Sequence, residues 1–184
     1  MQKRRHAAIA LRVSISLSML AAISIILGKY LAINVGEALR FSFENLPVIF
    51  AGIFFGPVAG MTVGALADLV GCLLVGYAIN PVVTLGAVSI GLVSGLTWHL
   101  LKKATLPTGL TLGVSVALSH LLGSVLIKGA GLSAFYSMPF GILILWRLLN
   151  YLIVGALEGI LLYFLIKSKT VRSAVSSIKR GGKQ

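Results

Sequence analysis

Long apolar runs, most of them near 20 residues and separated by short polar breaks, limit this chain more than any other feature. A helix needs about 20 apolar residues to cross a hydrocarbon core about 30 Å thick, and a segment in lipid must satisfy its backbone polar groups internally. The runs predict helices at about 13–32, 44–55, 58–76, 81–101, 109–128 and 139–166, with a basic tail at 167–184. The second is short, with Pro47 in its first turn, where proline is tolerated; a count of five helices is the alternative. The breaks are polar at 33–43, turns at Gly56-Pro57 and Gly76 to Pro81, a loop from Lys102 to Thr108, and a Gly-rich stretch at 129–138. The expected fold is a single all-α integral membrane domain, a bundle of six transmembrane helices.

Composition supports lipid as the solvent. Of 184 residues, 58% are hydrophobic and 11% charged, with a mean hydropathy of +1.01; a soluble domain carries about 25% charged residues. The net charge of +12 would suggest nucleic acid in a soluble protein. Here the cations sit at the ends of apolar runs, so no nucleic-acid partner is expected. All of the 16 Lys/Arg except Lys29, Arg40, Lys128 and Arg147 fall on the first terminus, the 102–108 loop or the last terminus. With six spans these three share a side, and the positive-inside rule makes that side cytoplasmic. The basic tail is expected to lie against anionic headgroups of membrane lipid. The basic, apolar N-terminal segment has the outline of a signal peptide. Its apolar region runs on through Ala32 with no clear small-residue cleavage site, and it is expected to be retained.

Small residues recur at spacing four: Ser14-Ser18-Ala22, Gly52-Gly56, Gly60-Gly64 continuing to Asp68, Ala87-Gly91-Gly95, and Gly113-Ala117. Close backbone approach at such positions drives helix association in lipid. The first-helix ridge is the best candidate for docking a partner, because a peripheral helix presents it outward.

Ionisable groups at membrane depth are functional candidates. Asp68 lies mid-helix on the glycine ridge, as a hydrogen-bonded clamp or a ligand contact. Arg147, Asn150 and Glu158 share a stripe of the last helix; Arg147 and Glu158 stand about 16 Å apart along the axis and cannot pair directly. Glu158 reads as an interhelical clamp, His120 and His99 as locally satisfied, Asn80 as a cap of the fourth helix, and Trp98 and Tyr163 as interface anchors. Lys29, Arg40, Phe41, Glu44, Asn45, Tyr77, Asn80, Tyr136, Trp146, Arg147 and Asn150 gather in the outer half. Aromatic walls with a few fixed polar groups suit a flat heterocycle, and an outer cation suits a carboxylate.

Absences narrow the function. There is no G-x-x-x-x-G-K-[ST], H-E-x-x-H or nucleophile elbow, and one cysteine, Cys72, excludes a cysteine zinc site or disulfide framework. No enzyme, metal or cofactor is expected. Four acidic residues offer few carriers for an ion-coupled cycle, so active transport would draw energy from another subunit.

The stretch LRFSFENLPVIFAGIFFGPVAG (Leu39 to Gly60), with GALADLVGCLL (Gly64 to Leu74) and INPVVTLGAVSIG (Ile79 to Gly91), resembles the substrate-binding S components of energy-coupling factor vitamin transporters. It is most similar to the folate-specific members. The resemblance implies a six-helix vitamin-capture subunit in a prokaryotic plasma membrane, with a pocket near the outer face. It also implies association with a transmembrane scaffold subunit and two cytoplasmic ATPases. Ser14, Ser18 and Ala22 occupy the place of the family's alanine-x-x-x-alanine docking motif, with serine at two positions. Folate's pterin edge would meet a carboxylate or amide, and its glutamate tail Arg147, Lys29 or Arg40. Capture of pantothenate, a thiamine precursor or another heterocycle, an autonomous facilitator, and a membrane assembly protein without a ligand are the competing expectations.

Overall fold

The computed structural model describes residues 2–35, 39–137 and 139–180, and their side chains apart from those of 2–6, 34, 35, 39, 40, 136 and 180. Helix α1 (Gln2–Ile25) continues as a π-helical turn, Ile26–Tyr30. A short antiparallel hairpin follows, β1 (Ile33–Val35) and β2 (Leu39–Phe41), pairing Ile33 with Phe41 and Val35 with Leu39. Helices α2 (Asn45–Phe55), α3 (Pro57–Val75) and α4 (Pro81–Lys103) come next. One long rod is then built from α5 (Thr108–Ser119), a π segment (His120–Ile127) and α6 (Lys128–Tyr136). Helix α7 (Phe140–Lys167) and α8 (Lys169–Arg180) complete the chain.

Among the described residues, five helices are long and apolar enough to cross a membrane: Ala7–Tyr30, α3, α4, Thr108–Phe135 and α7. The 11-residue α2 is about 16 Å long, half the hydrocarbon thickness. It still reverses the chain. Ser24 near the end of α1 bonds the Glu44 carbonyl just before α2 begins, and Gly52 farther along α2 meets Gly91 and Gly95 of α4. Chain direction alternates through α1, α2, α3, α4, the α5–α6 rod and α7, so α1 begins and α7 ends at one end of the bundle. Helix α8 lies across that end against α1 and α7, burying Val175 and placing the Lys179 ammonium over the Phe55 ring at 5.8 Å. The amphipathic tail thus reaches the end of the short α2 at Phe55.

The centre of the bundle is the α2–α3–α4 contact, made by the expected glycine ridges. A Cβ on Gly60 would lie 2.6 Å from the Gly91 carbonyl oxygen, and one on Gly95 2.7 Å from that of Gly52. Ile49, Val63, Ile90, Leu112 and Leu162 are fully buried around it. Leu11, Met19, Leu73, Leu152 and Phe164 stand outward, as a lipid-facing belt requires.

Four expectations change. The 33–43 break holds a hairpin. The 129–138 stretch is not a break up to Tyr136: α6 carries the helix through it, and Gly131 lets the backbone close on Val82 and Val83. Trp98 is no interface anchor; it is buried in the core beneath Lys102, whose ammonium lies 5.2 Å from its ring. His99 faces outward and is exposed.

Candidate functional site

At the end of the bundle away from the termini, charged side chains meet between helices. Lys128 Nζ donates to Glu44 Oε1 at 2.9 Å, and its side chain is nearly all buried. Lys29 aims its ammonium at Cys72 Sγ (4.0 Å) and lies over the Tyr77 ring at 5.4 Å. Thr84 donates to Asp68 Oδ2 at 2.7 Å. Asn45 is buried, and its Nδ2 has no hydrogen-bond acceptor. A buried amide donor left so is costly and marks a place where an acceptor would be welcome.

Local structure puts these groups there. Glu44 and Asn45 sit at the start of α2, which the hairpin delivers to the mouth of the bundle. Lys29 rides the π turn of α1, and Lys128 follows directly on the π segment; π segments cluster at functional sites. Three glycines make the room. A Cβ on Gly28 would strike Glu44 at 2.8 Å, one on Gly71 would strike Lys29 Cε at 2.9 Å, and one on Gly86 would strike Lys128 Cγ at 2.5 Å. The cavity bounded by Ser24, Lys29, Glu44, Asn45, Asp68 and Lys128 is about 20 Å³. That is room for one water molecule, so the site is drawn closed on its own ion pair.

A second polar group lies deeper, between the rod and α7. His120 Nε2 meets Glu158 Oε2 at 2.7 Å, with both side chains buried, and His120 Nδ1 meets Ser124 Oγ at 3.2 Å. Tyr151 stacks on His120 with ring centres 4.8 Å apart. Arg147 donates through Nε to the Ser124 carbonyl at 2.7 Å and lies over the Tyr151 ring at 5.4 Å. Ser124 lies within the π segment. Glu158 is therefore a clamp and His120 is locally satisfied, as the sequence suggested.

Of the candidate ligand residues, Lys29, Glu44, Asn45 and Asp68 line the charged cavity. Arg147 is held by Ser124, and Asn150 is buried one turn on; neither borders that cavity. Trp146 is 41% and Tyr77 56% exposed. Asn80 caps α4, accepting from Val82 and Val83 N–H, and ties it to α6 by donating to the Gly131 carbonyl at 2.9 Å. The Arg40 side chain lies outside the described residues, as does Glu37. Ser14, Ser18 and Ala22 are all exposed on α1. Lys128 and Ser24 were not singled out. Lys128 stands at an apparent helix end in the sequence; Gly86 makes the room for its side chain, and Gly123 lets the rod close on α4 at Gly86 and Ile90.

A glycine-packed helical bundle that encloses lysines, carboxylates and an amide at one end is built as a membrane-embedded solute-handling subunit. The family model described as "ECF transporter, substrate-specific component" matches residues 12–166, and the chain belongs to that family. The fold agrees with two solved structures. One is the crystal structure of FolT bound with folic acid: TM-score 0.61, 23% identity, 80% of this chain and 86% of that one. The other is the S component of a bacterial ECF transporter: TM-score 0.64, 21% identity, 91% of this chain and 95% of that one. No curated protein matches the sequence.

Proposed function

We propose that this chain is the folate-capturing subunit of an energy-coupling factor importer, handing its vitamin to a transmembrane scaffold driven by two ATPases. The observation that carries the specificity is the mixed donor set of the charged cavity. Glu44 and Asp68 accept, Asn45 Nδ2 has a proton to donate, and Lys29 and Lys128 supply cations. The pterin ring carries an amino-carbonyl edge that a carboxylate and an amide together satisfy. The glutamate tail carries carboxylates that bond ammonium groups strongly. Capture then is an exchange. A ligand oxygen replaces Glu44 as the partner of Lys128, which frees Glu44 for the ring's amino edge and opens the cavity. Arg147, Trp146 and Tyr77 stand farther along the route. Titration calorimetry of the purified protein should give tight folate binding and none for pantothenate or thiamine. Tight binding of one of those, with no folate heat, would reject the specificity.

In the same reading, α2 is a short sixth crossing, the termini are cytoplasmic, and the exposed Ser14-Ser18-Ala22 ridge meets the scaffold. In the sequence, twelve basic residues belong to the two termini or the 102–108 loop, which agrees with the positive-inside rule. In a Cys72→Ser background, cysteines placed at Thr105 and Ser177 should react with a membrane-impermeant maleimide only after the cells are opened. Labelling of either in intact cells would invert the topology.

A further inference from the structure

An apolar groove of about 650 Å³ runs between α5 and α7, apart from the charged cavity. Gly109, Gly113 and Ala117 form one wall, and Gly155 and Gly159 belong to the other. It extends from Gly109 to Val125, roughly 24 Å at 1.5 Å per residue. Along that length the lining is almost wholly apolar, from leucines, valines, glycines and aromatic rings, which suits a hydrocarbon chain lying in it.

Its mouth is cationic. Tyr163 lines the groove at the terminus end, close to Gly109, and Lys167 Nζ lies 5.1 Å from the Tyr163 ring centre. Lys102 and Lys103 close α4 just before α5 begins, and Lys169 opens α8. No acidic residue lies between Asp68 and Glu158 or after Glu158, and among the described residues the ion pairs engage only Glu158 and Glu44. Among the described residues no carboxylate pairs with these lysines. Basic pockets between membrane helices bind anionic lipid headgroups.

We propose that the α5–α7 groove seats an acyl chain of an anionic phospholipid, with the phosphate at Lys167. Lipid at this site wedges α5 and α7 at the level of Tyr163, several turns from the charged cavity, so it is independent of which vitamin that cavity takes.

The test is native mass spectrometry of the purified full chain, incubated with phosphatidylglycerol or phosphatidylcholine of the same acyl chains. One phosphatidylglycerol should remain bound at collision energies that strip phosphatidylcholine, with at least about a tenfold preference. Gly113→Leu and Gly159→Leu put side chain into the groove from positions where an added Cβ meets nothing within 4 Å. Each should reduce retention of both lipids at least about tenfold, and Lys167→Gln should abolish the headgroup preference alone. Wild-type protein that retains the two lipids equally would overturn the proposal, as would groove-filled variants that retain phosphatidylglycerol normally. So would groove variants that keep their lipid but fail to co-purify with the transporter scaffold, which would make the groove a helix-docking face. Lys167→Gln leaves the packing intact and decides the headgroup claim even where a groove variant does not fold.

Discussion

Gly91→Ala should destabilise the protein more than any other single-methyl change, by at least about 3 kcal/mol, lowering the thermal midpoint by about 6–12 °C. The new Cβ would overlap the Gly60 carbonyl group and the Met61 nitrogen, all of them backbone. Overpacking among side chains costs about 1–3 kcal/mol because they swing aside; backbone atoms of a neighbouring helix move only if the helix does. The ridge repeats the contact. Gly64 meets the Ala87 carbonyl in the same way, and Gly52 lies 2.6 Å in Cβ terms from the Gly91 oxygen. Forcing α3 and α4 apart at Gly91 therefore loosens α2 as well. Gly113→Ala is the control, since its Cβ meets open space, and it should melt with the wild type. Equal midpoints for Gly91→Ala and Gly113→Ala in detergent would disprove backbone contact between α3 and α4.

That ridge was legible because spacing four has one meaning in a lipid-embedded helix: a face that a neighbouring backbone approaches. The helix ends were legible for a similar reason. Pro57 and Pro81 open α3 and α4, Gly76 closes α3 in a left-handed conformation, and hydropathy does the rest. The rod was misjudged at Gly129 and Gly131, where glycine reads as a breaker from water-based propensities. In a membrane helix the lost propensity matters less than the close packing that Gly131 allows against Val82. The hairpin was hidden because two three-residue strands are too short for alternation to register.

The charged centre was half legible, and the dividing line is physical. Lys29, Glu44, Asn45 and Asp68 declare themselves as polar residues at membrane depth, whatever their partners. Which cation they would meet depends on the rotation of the rod. The eight-residue π segment His120–Ile127 sets that rotation, and no sequence period records it. Arg147, the strongest candidate in the sequence, is engaged on the Ser124 carbonyl within that segment, outside the cavity.

Lys128→Met should lower vitamin affinity by at least about 100-fold, the effect of removing a buried ammonium from a ligand acceptor, about 3 kcal/mol. It should also destabilise the unliganded protein, because Glu44 loses its ion-pair partner. Glu44 is about a quarter exposed, so this cost belongs at the low end of the roughly 3–5 kcal/mol seen when one member of a buried pair is removed. The two effects separate in the double variant. Glu44→Gln with Lys128→Met removes both charges and should recover most of the stability, as apolar or neutral replacements of buried pairs do. It should not recover binding, because the ammonium is the group the ligand needs. Lys128→Arg should fail as well, because the cavity at the ammonium holds about one water molecule and the larger planar guanidinium has to find room beside Glu44. If calorimetry found Lys128→Met binding folate as tightly as the wild type, the charged cavity would not be the capture site. The ligand would then have to be sought on the Arg147 side of the rod.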